Sequence, residues 1–236
     1  MLEETELLKE KYNIRELIFY DDSFTLDRER IIKFCGLLIE KNINIKWKCE
    51  TRVNLVDQDL LQLMKKAGCY LIGYGIESGN QRILNMLQKG ITLENVKKAV
   101  EITKKAGIEI LGYFMIGVPG ESEREIKETI EFAKSLDVDY AQFSIATAFP
   151  ETELYQMAKA RNKIPRGWEN AFYALGGTKK IVSLCDLDSQ TLQNYLRTAY
   201  RSFYFRPSYL KKKLLEIKSP KILWRYLKGL KILFGV

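Results

Sequence analysis

The 236-residue sequence contains no histidine. That absence removes Ser–His and Cys–His catalysis and any histidine metal site. Cysteine is scarce and scattered: Cys35, Cys49, Cys69 and Cys185 lie far apart and fit no metal-ligand spacing. Apolar neighbours of Cys35 such as Ile32 and Leu38 predict buried free thiols, of the kind a cytosolic protein keeps reduced. No apolar run reaches the ~18 residues of a membrane-crossing helix. The N-terminal stretch MLEETELLKEKYNI is acidic and amphipathic. It lacks the basic flank and apolar core of a secretory signal, so the expected location is the cytoplasm.

Acidic residues are nearly absent from the last part of the chain. Residues 191–236 hold eleven Lys and Arg and one acid, Glu216, so the net charge of +8 belongs to this tail. Within it, 208–236 alternates Leu, Ile and Trp224 with lysines, the pattern of a basic amphipathic helix. Two readings follow: helices packed with a solvated basic face, or peripheral contact with an anionic membrane surface. Nucleic-acid binding is disfavoured because the tail carries no recognisable module.

What is present is an alternation of short apolar runs with longer amphipathic ones. Strands are predicted at 16–20, 44–50, 70–76, 109–116 and 139–146. Helices are predicted at 27–41, after Asp57 as cap, briefly after Gly79, at 92–106 with Gly107 ending it, and at 123–135 behind a Ser122/Glu125 capping box. A spacing of roughly 30 residues per unit suits parallel βαβ connections. Periodicity leaves two architectures open, an open doubly wound sheet and a (β/α) barrel. No G-x-G-x-x-G follows the first strand, which weakens a dinucleotide-binding sheet. The organisation expected is a barrel region over 1–150, a connector over 151–190 around Gly176-Gly177, and a basic helical tail over 191–236 broken at Pro207 and Pro220.

Ligands of parallel α/β folds sit at the C-terminal strand ends. There the chain places Asp21-Asp22-Ser23, Glu50-Thr51-Arg52, Glu77-Ser78-Gly79, Gly117 to Gly120, and Thr147 to Thr152. Singly, each is an ordinary turn or helix cap. Five polar strand ends aimed at one face are harder to reduce to turns.

The strings IFYDDSFT, KCETRVN with DLLQLMKKAGC, YGIESGNQRIL, YFMIGVPGE and FPETELY occur in this order. Together they resemble the radical S-adenosylmethionine (SAM) superfamily, and within it the core of enzymes that carry a cobalamin-binding domain. The likeness covers residues 1 to about 155 and extends more weakly to YRSFYFRPSYL. It implies a partial (β/α)6 TIM-like barrel lacking its first strand, followed by a helical C-terminal region. The implied activity is reductive cleavage of SAM and radical chemistry on a small-molecule or lipid-like substrate, with cobalamin-linked methyl transfer as one branch.

By the same resemblance, Asp21 and Asp22 would meet the methionine amino group of SAM. Glu77 and Ser78, with Arg82 nearby, would approach the ribose and the methionine carboxylate. Arg52 would bind the SAM carboxylate or a substrate acid, and Gly117 would let backbone approach the adenine. The family's first strand leads into a C-x3-C-x2-C loop whose thiolates hold a [4Fe–4S] cluster. None of the four cysteines has that spacing, so the chain is expected to be N-terminally incomplete and inactive alone. The family often has Pro-Gly-Thr where this chain has Pro150-Glu151-Thr152, which puts a side chain at a tight turn. Two rival readings stand beside this one. One is a non-catalytic remnant that binds SAM or a partner; the other is an unrelated barrel enzyme using Asp21, Glu77 and Arg52 as acids and bases.

Overall fold

The computed structural model describes residues 1–164 and 182–216. The connector around Gly176-Gly177 and the tail beyond Glu216, including the break at Pro220, lie outside the described residues. Of the amphipathic segment 208–236, only 208–216 is described. No helix among the described residues is long and apolar enough to cross a membrane.

The elements run α1 (Leu2–Tyr12), β1 (Glu16–Ile18), α2 (Arg28–Glu40), β2 (Lys46–Thr51), a 3-10 turn (Val53–Leu55) and α3 (Gln58–Lys66). They continue with β3 (Cys69–Glu77), α4 (Gln81–Met86), α5 (Leu93–Lys105), β4 (Glu109–Ile116), α6 (Glu123–Ser135) and β5 (Tyr140–Ile145). Helices α7 (Glu153–Ala160), α8 (Ser189–Tyr204) and α9 (Pro207–Glu216) follow. The first strand is shorter than the 16–20 read from sequence, although the Phe19 N–H still donates to the Lys48 carbonyl at 3.0 Å.

All five strands form one sheet in the order β1-β2-β3-β4-β5. The first four pair in parallel, with Glu16 opposite Lys46, Glu50 opposite Gly73 and Gly73 opposite Leu111. A doubly wound sheet reverses its strand order at a switch point. This order never reverses, so of the two architectures left open the fold is the α/β, partial TIM-like barrel.

The chain divides into two compact units, 1–114 with 135–142 and 115–134 with 143–236. In the first, strand alternation separates two faces. On β2, Trp47, Cys49 and Thr51 are buried while Lys46 is exposed and Lys48 and Glu50 are partly so. Trp47 anchors the apolar side, its ring within 5.6–6.1 Å of Phe19, Phe24 and Phe34 and its Nε1 donating to the Ala67 carbonyl at 2.8 Å. Asp57 caps α3 by accepting from the Leu60 N–H, and α3 buries Leu60, Leu61 and Met64. Thr92 and Asn95 close a reciprocal capping box on α5, and Gly107, at φ 74°, ends that helix as expected. Apolar helix faces thus cover one side of the sheet and leave the polar side for a site.

In the second unit, the Ser122 N–H and hydroxyl both donate to the Glu125 carboxylate at the start of α6, at 2.9 and 2.7 Å. The string YRSFYFRPSYL is a packing motif here. Phe143, Phe203, Tyr204 and Tyr209 pack edge to face in succession, the Tyr200 hydroxyl donates to the Phe143 carbonyl at 3.0 Å, and Arg206 lies 3.9 Å over the Phe203 ring. Glu151 takes φ 64°, the left-handed region that favours glycine. Glu151→Gly should therefore raise the unfolding free energy by about 0.5–1 kcal/mol, the relieved left-handed strain less the added freedom of the unfolded chain. Urea unfolding of the variant checks this; a lower midpoint would show that the turn does not strain the glutamate.

Candidate functional site

The polar side of the sheet in the first unit holds a cavity of about 500 Å³. Asp22 enters it from the turn after β1, Glu50 and Thr51 from the end of β2, and Gly75 and Glu77 from the end of β3. Tyr113 of β4, Gln142 of β5 and Lys89 from the α4–α5 loop complete the lining. Three carboxylates, all acceptors, therefore share the cavity with one ammonium donor, which suits a ligand bearing a cation together with hydroxyls or an acid.

Two glycines make the room. A Cβ on Gly73 would sit 2.9 Å from the Tyr113 ring and 3.2 Å from Glu50 Cγ. One on Gly75 would sit 2.8 Å from Glu77 Oε1 and 3.0 Å from Lys89 Nζ. The sequence GYGIE thus reserves space on one strand face for two polar pairs while Tyr74 and Ile76 bury on the other.

The first pair lies across strands: the Tyr113 hydroxyl donates to Glu50 Oε1 at 2.5 Å. Burial first, and then the bond to the Glu50 carboxylate, push the Tyr113 phenol above its ordinary value, so it stays a protonated donor at neutral pH. The second is Lys89 Nζ donating to Glu77 Oε1 at 2.8 Å, each side chain 23% exposed. Glu77 reaches this position with φ 67°, a left-handed conformation that costs a non-glycine residue about 1–2 kcal/mol. Strain of this kind clusters at binding sites. The Thr51 hydroxyl is paired with that of Thr25 at 2.6 Å behind the cavity wall.

Of the residues singled out in the sequence, the cavity brings Asp22 and Glu77 together. Asp21 is exposed and lies 3.8 Å from Arg30. Arg52 is not in the lining; its Nη2 donates to the Lys89 carbonyl, while its Nε is buried without a partner among the described residues. Ser78 is fully buried, and its Oγ accepts from the Asn80 N–H at 3.1 Å, shaping the entry to α4. Arg82 is exposed on the first turn of α4. Gly117 belongs to the second unit, where its φ is 81° and its N–H donates to the buried Glu121 carboxylate at 2.5 Å. The Leu192 side chain would lie 3.0 Å from a Cβ there.

Lys89, Tyr113 and Gln142 were not legible as site residues in the sequence, and Glu50 was legible only as a strand end. Alternation along β4 was the available signal for Tyr113, which falls on the less buried face of that strand. Lys89 gave no signal, because it sits in an irregular turn between two helices.

Among the described residues no group of three or more His, Cys, Asp or Glu side chains is arranged to hold a metal. All four thiols are free and buried. Burial, with a smaller contribution from Cys49, pushes the Cys35 thiol up to about 12, and burial likewise raises Cys69. These residues do not fit a [4Fe–4S] cluster.

Comparison with known proteins connects the chain to a family. The signature of the radical SAM superfamily matches residues 1–133. An uncharacterised methyltransferase of Pyrococcus horikoshii is 39% identical over 217 residues, covering 92% of this chain and 46% of that protein. The anaerobic magnesium-protoporphyrin IX monomethyl ester cyclase of Rubrivivax gelatinosus is 26% identical over 231 residues, covering 97% of this chain and 40% of that protein. This chain thus spans less than half the length of these relatives. Among solved structures, the radical SAM methyltransferase TsrM of Kitasatospora setae, with cobalamin and a [4Fe–4S] cluster bound, superposes with a TM-score of 0.62 at 18% identity. That match covers 69% of this chain and 33% of TsrM. With its parallel strand order, its polar strand-end cavity and a family signature running through β4, the chain belongs to the radical SAM superfamily.

Proposed function

We propose that this chain is the SAM-binding part of a radical SAM enzyme of the methyltransferase-like branch, acting on a small organic substrate. The observation that carries the reading is the cavity at the strand ends, lined by Asp22, Glu50 and the Glu77–Lys89 ion pair, with Gly73 and Gly75 leaving room for the polar side chains. Bound there, SAM would supply the sulfonium whose reductive cleavage starts the family's radical chemistry.

Asp22 accepts from the methionine ammonium, and Glu77 accepts from ribose hydroxyls. Lys89 takes the carboxylate, a role the sequence had suggested for Arg52; the Arg52 guanidinium is engaged with the Lys89 carbonyl instead. Tyr113, fixed by Glu50, lines the cavity beside them. The cluster has no ligand set in this chain, so reductive cleavage is not assigned to its residues, and cobalamin-linked methyl transfer is one branch open to the whole enzyme. A non-catalytic SAM-binding remnant would use the same cavity.

Calorimetric titration of the purified chain with SAM tests the reading. Glu77→Gln keeps the size and backbone strain of the residue but removes the charge. It should weaken SAM binding by about 1–3 kcal/mol, the worth of hydrogen bonds to a charged group. Unchanged affinity in a folded variant would take Glu77 out of the site, and no binding by the parent chain would overturn the reading.

A further inference from the structure

We propose that Arg52 is a positioning residue that holds Lys89 at the cavity wall through the backbone rather than touching the ligand. The proposal rests on the SAM reading of the cavity for the role of Lys89, but the contact itself does not. Lys89 is flanked by Gln88 at φ 49° and Gly90 at φ 66°, two left-handed residues in a turn that forms no ladder. Such a backbone holds one conformation only where its polar groups are tied down. Three of its ties come from Leu84, Gln81 and Arg52. The Lys89 N–H donates to the Leu84 carbonyl at 3.1 Å. The Gln81 side chain donates to the Ile91 carbonyl and accepts from the Leu93 N–H, both at 3.1 Å. Arg52 Nη2 donates to the Lys89 carbonyl.

The first two ties come from α4, the helix that leads into the turn. Arg52 reaches the backbone of the turn from the sheet side, at the end of β2, next to the strand residues Glu50 and Thr51 that line the cavity, while Glu77 of β3 meets the Lys89 side chain. Arg52 therefore couples the position of the Lys89 ammonium to the sheet that carries its partner Glu77. Two further observations favour a strut over a ligand contact. Arg52 makes no ion pair among the described residues, and its Nε is buried, so that donor is closed to a ligand. An arginine that binds a carboxylate presents two donors in a fork; here one donor is spent on a carbonyl and another is enclosed. The reserved space at Gly75, where a Cβ would come within 3.0 Å of Lys89 Nζ, shows the place the strut must hold.

The experiment compares Arg52→Met, Arg52→Lys, Lys89→Met and the double variant Arg52→Met/Lys89→Met in the full chain. Amide hydrogen exchange and trypsin cleavage after Lys89 read the turn directly. Arg52→Met should speed exchange over residues 87–92 and cleavage at Lys89 by about tenfold, roughly the worth of one hydrogen bond from a charged donor, with the rest of the first unit unchanged. Arg52→Lys should restore most of the protection. Titration with SAM and with its decarboxylated analogue reads the consequence. The parent chain should prefer SAM; Arg52→Met and Lys89→Met should each lose about tenfold of that preference, and the double variant should be no worse than Lys89→Met. Additive losses would mean that Arg52 meets the carboxylate itself and would overturn the proposal, as would unchanged protection of 87–92 in Arg52→Met. If the parent chain binds neither compound, the SAM reading falls while the exchange result still decides the strut. Should Arg52→Met not fold, Arg52→Gln carries the same comparison.

Discussion

Asp139→Ala is expected to lower the unfolding free energy by about 2–4 kcal/mol. The Asp139 carboxylate is only 4% exposed and accepts from Lys104 Nζ with both oxygens, at 2.9 and 2.8 Å. One of those oxygens also accepts from the Ile110 N–H at 3.0 Å, while the Asp139 N–H donates to the Ile110 carbonyl at 3.0 Å. A single residue thus joins the start of β5 to the start of β4 and to the last turn of α5. Truncation leaves the Ile110 N–H buried without this acceptor. Lys104, 25% exposed, can turn to water, which keeps the cost near the lower part of the range for a broken buried pair. Asp139→Asn should cost about half as much, because an amide oxygen still serves Ile110. Lys104→Met should cost at least as much as Asp139→Ala, since it strands a buried carboxylate. Urea unfolding followed by tryptophan fluorescence measures all three. A loss below about 0.5 kcal/mol for Asp139→Ala would show that the β4–β5 start is held by packing alone.

Anaerobic reconstitution of the purified chain with iron and sulfide is expected to yield no stable [4Fe–4S] cluster. The ligand is the thiolate, and it must be reachable. The four cysteines of the chain are all buried, and burial disfavours the thiolates of Cys35 and Cys69. With no histidine in the sequence, no imidazole can substitute for a thiolate. After desalting, iron should be far below four per chain, without the broad visible absorbance of a cluster. A stoichiometric cluster whose spectrum changes on adding SAM would show that core thiols rearrange to bind it. The SAM titration is independent of this outcome, since Asp22, Glu77 and Lys89 lie in a cavity that contains no thiol.

Much of the scaffold was legible because it is local. The strand Glu109–Ile116 alternates buried and less buried residues without a break, and its bounds are those read from the sequence. Asp57 and Thr92 were legible as caps because a side chain reaching an amide three residues on is a short-range event. Glu151 could be marked as misplaced because the turn needs a left-handed residue whatever surrounds it. Burial of Cys35 followed from its place on the apolar stripe of α2.

The site was legible in type and only partly in membership. By itself the sequence determined that polar residues cluster at the ends of apolar strands, and that Asp22 and Glu77 are among them. It also determined that no histidine and no cysteine triplet stands ready for a metal. Only the tertiary structure decided that the strands run in unbroken order, and that Tyr113 meets Glu50 across 63 residues of chain. Likewise, only the folded chain shows that Arg52 is engaged by a carbonyl 37 residues away while Lys89 takes the place facing Glu77. The reason is physical. Helix caps and strand alternation depend on neighbours within a few residues, whereas partners in a parallel sheet are chosen by register between distant strands, which no local period encodes.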